Sequence, residues 1–156
     1  SPTRGIFAGG LSTPNGLSAP KISNINFITI ASKGNSTNFG NLISRRDSLG
    51  GGYSSGTRGV FAGGSYHSEM DYITIASTGN ATKFGDLSSD HKNRTSFSSK
   101  TRGITAGGRN PAATNVIEFA EIATTGNAQD FGDLTQPSTL PDNGGLSDSH
   151  GGLGGF

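Results

Sequence analysis

Histidines and carboxylates are the first residues to weigh for chemistry, and here they are sparse. His67 precedes Glu69 and Asp71 in the one acidic–histidine cluster of the sequence. Such a trio could bind a metal or relay a proton. However, His67, His91 and His150 share no spacing of the kind that sets metal ligands together, and solvated loop positions account for them. Asp86 and Asp133 occupy one position of a repeat, with Asn41 in the remaining copy. Glycoside hydrolysis needs two carboxyls at a defined separation across a cleft, whereas recurrence at a strand end fits turn bonding. Serines are plentiful, but no Gly-x-Ser-x-Gly elbow presents a nucleophile. The pairs Gly9-Gly10, Gly63-Gly64 and Gly107-Gly108 could cradle a phosphate only with a Gly-Lys-Ser/Thr opening a helix, and that signature is absent. These residues predict neither an enzyme nor a cofactor.

What must position any functional residue is a repeated frame. Thr3-Arg-Gly-Ile-Phe-Ala-Gly-Gly10, Thr57-Arg-Gly-Val-Phe-Ala-Gly-Gly64 and Thr101-Arg-Gly-Ile-Thr-Ala-Gly-Gly108 are copies of one octet. Each is followed by an isoleucine (Ile30, Ile75, Ile122), a Gly-Asn pair (Gly34, Gly79, Gly126 with the next Asn), and a Phe-Gly pair led by Phe39, Phe84 or Phe131. From the isoleucine to the Phe-Gly pair the spacing is constant, while the stretch from octet to isoleucine varies. Each copy is therefore one supersecondary unit with a variable loop. The units run from about 3 to 56, 57 to 100 and 101 to 149, and His150–Phe156 reads as a worn fourth octet.

Within the second unit, Val60-Phe61-Ala62 reads as a strand leaving through two glycines, which permit positive φ or close backbone approach. Met70 to Ala76 alternates with period two, so it reads as a second strand. Ser77-Thr-Gly-Asn80 is a turn, Ala81 to Leu87 a third strand anchored by Phe84, and Arg94 to Ser99 a fourth. Composition agrees with β structure, because 26 glycines with abundant Ser, Thr and Asn favour turns and strands over helices. Leu, Ile, Val and Phe are only about a fifth of the chain, yet the net charge of +1 and the strong periodicity argue for a folded chain. Near-neutral balance and dispersed arginines give no nucleic-acid footprint. No apolar run reaches the roughly 18 residues of a membrane span, no signal peptide is visible, and zero cysteines exclude disulfides.

A hydrophobic strand ending in Gly-Gly, an aromatic-bearing strand, a bulky aromatic and an Arg-led strand together resemble the kelch repeat. That resemblance implies an all-β protein of three four-stranded propeller blades plus a degenerate terminal strand. Kelch repeats carry Trp where Phe39, Phe84 and Phe131 stand, and this chain has no Trp. The wording of Thr57–Gly64 and Ile75–Thr82 is more similar still to repeats in structural proteins of large tailed phages, cyanophages included. This implies a virion location and a tail-fibre or surface role, with adhesion to a host-surface glycan or protein. A cellular or secreted, extracellular propeller-type interaction protein or lectin, or a filament-forming subunit joined through its terminal strands, is the alternative. Three blades do not close a propeller, which needs about four to eight. The chain is thus a piece of a longer propeller, a half-propeller completed by self-association, or a threefold β-trefoil or β-prism. An open array would leave strand edges bare, so a partner surface is expected.

Arg4, Arg58 and Arg102 recur in every unit and suit a structural role, bonding loop carbonyls between neighbours. Asn35, Asn80 and Asn93 head glycosylation-acceptor triplets, two of them on one repeated turn, so surface exposure is expected. Functional promise lies in the variable loops, 11–23, 65–71 and 109–115, because recognition concentrates in loops on a rigid scaffold. Tyr66, His67, Arg109 and Asn110 are the residues there suited to sugar or protein contact.

Overall fold

Period-two segments separated by glycine-rich turns favour antiparallel sheets, and in a computed structural model of the chain every regular element among the described residues is a strand. It describes residues 3–12, 20–49, 51–139 and 147. The expected fourth octet, His150–Phe156, lies outside these. Among the described residues eleven strands form three separate sheets, each an antiparallel meander. The first sheet is β1 (Arg4–Ala8), β2 (Asn24–Thr29) and β3 (Thr37–Asn41). The second is β4 (Gly52–Ser54), β5 (Arg58–Gly64), β6 (His67–Thr74) and β7 (Thr82–Asp86). The third is β8 (Thr95–Ser98), β9 (Arg102–Ala106), β10 (Thr114–Glu121) and β11 (Gln129–Ser138). None of the three closes on itself among the described residues.

One strand sits differently from the sequence-based expectation. The segment expected to end the second unit contains β8, which pairs with β9 and so opens the third sheet. In the second and third sheets the octet strand is bonded on one edge by the strand after it and on the other by the strand before it. A tight turn at Ser99–Arg102, with the Ser99 hydroxyl accepting from the backbone N–H of Thr101 and Arg102, folds β8 back onto its own successor.

The repeated glycines have two distinct causes. Gly9, Gly63 and Gly107 take φ of +66°, +61° and +66°, so the octet leaves its strand through a left-handed kink that glycine adopts without strain. The Phe-Gly pair is a β-bulge. Ile25 faces Gly40 and Asn26 faces Asn38, so Phe39 is an extra residue in its strand. The same slip skips Phe84 opposite Met70/Asp71 and Phe131 opposite Ile117/Glu118.

The sheets stack face to face. The alternation of β6 sends Met70 and Tyr72 one way, where they pack with Val60, Ala62 and Phe84 against Ala120 and Ile122 of the third sheet. Ile73 points the other way, into a cluster with Ile25, Phe39 and Leu42 of the first. The middle sheet is thus buried on both faces. At about 25 cal/mol per Å² of apolar surface, each fully buried large side chain contributes about 2 kcal/mol.

A polar strap recurs at both junctions. The turn Gly79-Asn80 lies along β3, with Gly79 N–H donating to Phe39 O (2.8 Å), Ala81 N–H to Asn41 O (2.8 Å), and Asn41 N–H to Asn80 Oδ1 (3.0 Å). Gly126-Asn127 repeats this on β7 through Phe84 O, Asp86 O and Asp86 N–H. The approach is so close that a Cβ on Gly40 or Gly85 would fall 2.1 or 1.9 Å from the carbonyl oxygen of Gly79 or Gly126. Beneath the strap lies a buried ion pair: Arg46 with Asp71 at one junction, Arg94 with Glu118 at the other. Burial outweighs the attraction of Arg46 and holds the Asp71 carboxyl above its ordinary range. Nearer the surface, the guanidinium of Arg4 lies over Phe27 and donates to Ile75 O (2.7 Å). That of Arg58 lies over Tyr72 and reaches Ile122 O (2.9 Å).

Candidate functional site

Loop residues that differ between units converge at one place beside the second junction. Tyr66 occupies the turn between β5 and β6 with φ of +63°, a left-handed conformation that throws its ring outward. Lys92 and Arg109 come from two other loops and are tied by paired backbone bonds, Lys92 N–H to Arg109 O (3.2 Å) and Arg109 N–H to Lys92 O (3.0 Å). The Asn110–Pro111 peptide is cis, and Asn110 Nδ2 donates to Asp90 Oδ1 (2.9 Å). These residues line an open depression of about 270 Å³ formed by Tyr66, Lys92, Arg109, Asn110 and Pro111.

Its chemistry is an aromatic ring with one cation, Lys92, over its face and a second, Arg109, elsewhere in the lining. Lys92 Nζ stands 5.1 Å from the centre of the Tyr66 ring and donates to its hydroxyl at 3.3 Å. Arg109 is exposed, so its guanidinium is available for a planar acceptor. The linker that carries Lys92 is tied by Arg94, whose Nη2 donates to Ser89 O (3.1 Å) and Ser89 Oγ (2.8 Å), and Ser89 in turn bonds His91. Burial and then the Arg94 charge hold the His91 imidazole below its ordinary pKa, so near neutral pH it adds no charge to the site. A rigid ring face with two cations and an amide suits a sugar ring bearing a carboxylate, sulfate or phosphate.

Of the four loop residues singled out in the sequence, Tyr66, Arg109 and Asn110 meet here, while His67 does not line the depression. His67 turns instead toward Glu69, 3.7 Å away. Lys92 and Pro111 complete the site and escaped the sequence reading. Lys92 belongs to a polar linker 26 residues from Tyr66, and only the stacking of the second and third sheets joins them. The loop 11–23 is only partly described, with residues 13–19 outside the described set. Asn35 and Asn80 are exposed on the repeated turn, and the Asn80 amide oxygen is engaged in the strap. Among the described residues no group of three His, Cys, Asp or Glu could hold a metal ion. None of the described residues forms a helix long and apolar enough to cross a membrane.

No protein-family model matches the chain, and no curated protein matches its sequence.

Proposed function

We propose that this protein is a structural and adhesive component of a phage particle, a tail-fibre or surface protein built of kelch-like propeller blades. In this reading the depression around Tyr66 recognises an anionic saccharide on the host surface. The observation that carries the reading is the convergence of Tyr66, Lys92, Arg109 and Asn110, all loop residues, on a frame whose other parts repeat. Support for the structural half comes from how that frame is held. Repeated straps and buried ion pairs fix the loops on rigid sheets, which lowers the ordering cost of binding. One open depression gives weak affinity, and many copies on one particle raise it through effective concentration.

Retention on immobilised polysaccharide tests the proposal. A carboxylated or sulfated polysaccharide should retain the folded protein in low salt, a neutral one should not, and Lys92→Ala with Arg109→Ala should abolish retention. Equal behaviour of the charged and neutral matrices would refute it.

A further inference from the structure

The two outer faces of the stack carry the two halves of the contact that joins its units. The third sheet presents the receiving half. Phe131 is 55% exposed, whereas Phe39 and Phe84, at the same bulge, are each 3% exposed beneath a neighbouring turn. A Cβ on Gly132 would meet nothing within 4 Å, where Gly40 and Gly85 are capped by a carbonyl. Arg102 covers Phe119 as Arg4 and Arg58 cover Phe27 and Tyr72, but it turns to exposed Glu121 instead of to a neighbour's carbonyl.

The first sheet presents the inserting half. Ile30 is 57% exposed, while Ile75 and Ile122 at its position are 4% and 1% exposed. Gly34-Asn35 is the copy, in the first unit, of the docking turns Gly79-Asn80 and Gly126-Asn127.

The buried charges decide which partner fits. At each internal junction an acid on the later sheet, Asp71 or Glu118, meets an arginine from the linker before it, Arg46 or Arg94. The first sheet has neutral Asn26 at that position, and no Arg or Lys follows Arg109 in the sequence. A junction made from the third unit and the first would therefore bury neither an unpaired acid nor an unpaired arginine, either of which would cost several kcal/mol.

We infer that the third sheet of one copy receives the first sheet of a second copy, head to tail, through the same contact that joins the units within the chain. Gly34 N–H of the partner subunit then donates to Phe131 O, Asp133 N–H donates to the partner's Asn35 amide oxygen, and Arg102 reaches the carbonyl of the partner's Ile30. A groove of about 200 Å³ along β1, floored by Gly59, Ile73 and Ile75 beside Tyr53, lies where the first sheet has no opening strand among the described residues. In the other two sheets that strand comes from the chain between the preceding unit and the octet. Two chains of three units give six, within the roughly four to eight that close a propeller. This closure, but not the contact itself, rests on the propeller reading above.

Sedimentation velocity on the whole chain tests this. The wild type should run at twice the 15.9 kDa chain mass. Phe131→Asp and Ile30→Asp should each weaken the closed pair about 1,000-fold, since each removes a large buried apolar side chain at both of its junctions. Both side chains are exposed in the single chain, so an unchanged circular dichroism spectrum keeps folding out of the comparison. Mixing the two variants should give a 1:1 pair held by one unaltered junction, weaker than the wild-type pair because the other junction then carries both substitutions. A monomer at every concentration, or variants that mixing does not rescue, would overturn the head-to-tail contact. Growth beyond two copies would overturn the closure and the propeller reading with it. Saccharide retention reads out separately on the Phe131→Asp monomer, so failure of assembly and failure of adhesion are distinguishable.

Discussion

Replacing Gly85 by Ala puts the face-to-face stacking under the sharpest strain. The new Cβ would lie 1.9 Å from Gly126 O, 2.3 Å from Gly126 C and 2.9 Å from Asn127 N, all backbone atoms that cannot rotate aside. Carbon contacts relax near about 3.5 Å, so the turn must retreat by more than about 1 Å. That retreat breaks three hydrogen bonds: Gly126 N–H to Phe84 O (2.8 Å), Ala128 N–H to Asp86 O (2.9 Å) and Asp86 N–H to Asn127 Oδ1 (3.0 Å). At a net ~1 kcal/mol each, with ~1 kcal/mol or more for overpacking, the loss comes to about 4 kcal/mol. For a domain whose whole stability is about 5–15 kcal/mol, this is a large fraction. Gly85 does not sit in the left-handed region, so backbone strain adds nothing. Gly126→Ala is the matched control, because its Cβ meets nothing within 4 Å and its φ is unremarkable for alanine. Urea unfolding, performed on the Phe131→Asp background so that single chains are compared, should show a large drop for Gly85→Ala. Gly126→Ala should stay within about 0.5 kcal/mol of its parent. Equal midpoints for the two variants would refute the stacking.

Two further outcomes follow from buried groups. Arg46→Met leaves the Asp71 carboxylate buried without its partner and should cost about 3–5 kcal/mol in thermal or urea unfolding. Arg46→Met with Asp71→Leu should recover most of that loss, though not all, because Arg46 also donates to Gly63 O and Glu69 O. Burial pushes the Tyr53 phenol up to about 12, against the opposing bond to Thr105. A raised folded pKa gives stability that is complete below the unfolded value of 10.0 and is lost as pH rises through about 12. Unfolding followed across that alkaline window should show this slope, and Tyr53→Phe should remove it.

The frame was legible because the octet, the isoleucine and the Phe-Gly pair keep their order, and alternation over Met70–Ala76 shows a strand with two apolar faces. Why both faces are apolar was not legible, since it takes a neighbour on each side to explain Ile73 and Met70 together. The Phe-Gly pair could be read as a strand with an anchoring aromatic, yet the bulge depends on register across the sheet. The strand at Thr95–Ser98 is adjacent in sequence to both units, and only its pairing with β9 assigns it. Arg46 and Arg94 were hidden because their linkers differ in length, so the two arginines do not align although both meet the acid of the next unit. In the depression, Tyr66, Arg109 and Asn110 stood out as loop residues with binding chemistry. Lys92 did not, because nothing in a polar linker marks the residue that stacking will bring beside a tyrosine.

Engineered cysteines test the head-to-tail contact most directly, since the chain has none of its own. Asn41→Cys with Asn80→Cys is the internal standard: these side chains already approach to 3.4 Å across the first junction, and a bond should form within one chain. Asp133→Cys with Asn35→Cys places the same pair on the two outer faces. Mild oxidation should link these between chains and give a covalent species at twice the chain mass. If the standard closes readily and the outer pair stays monomeric, the two faces do not meet, and the account of the assembly is wrong.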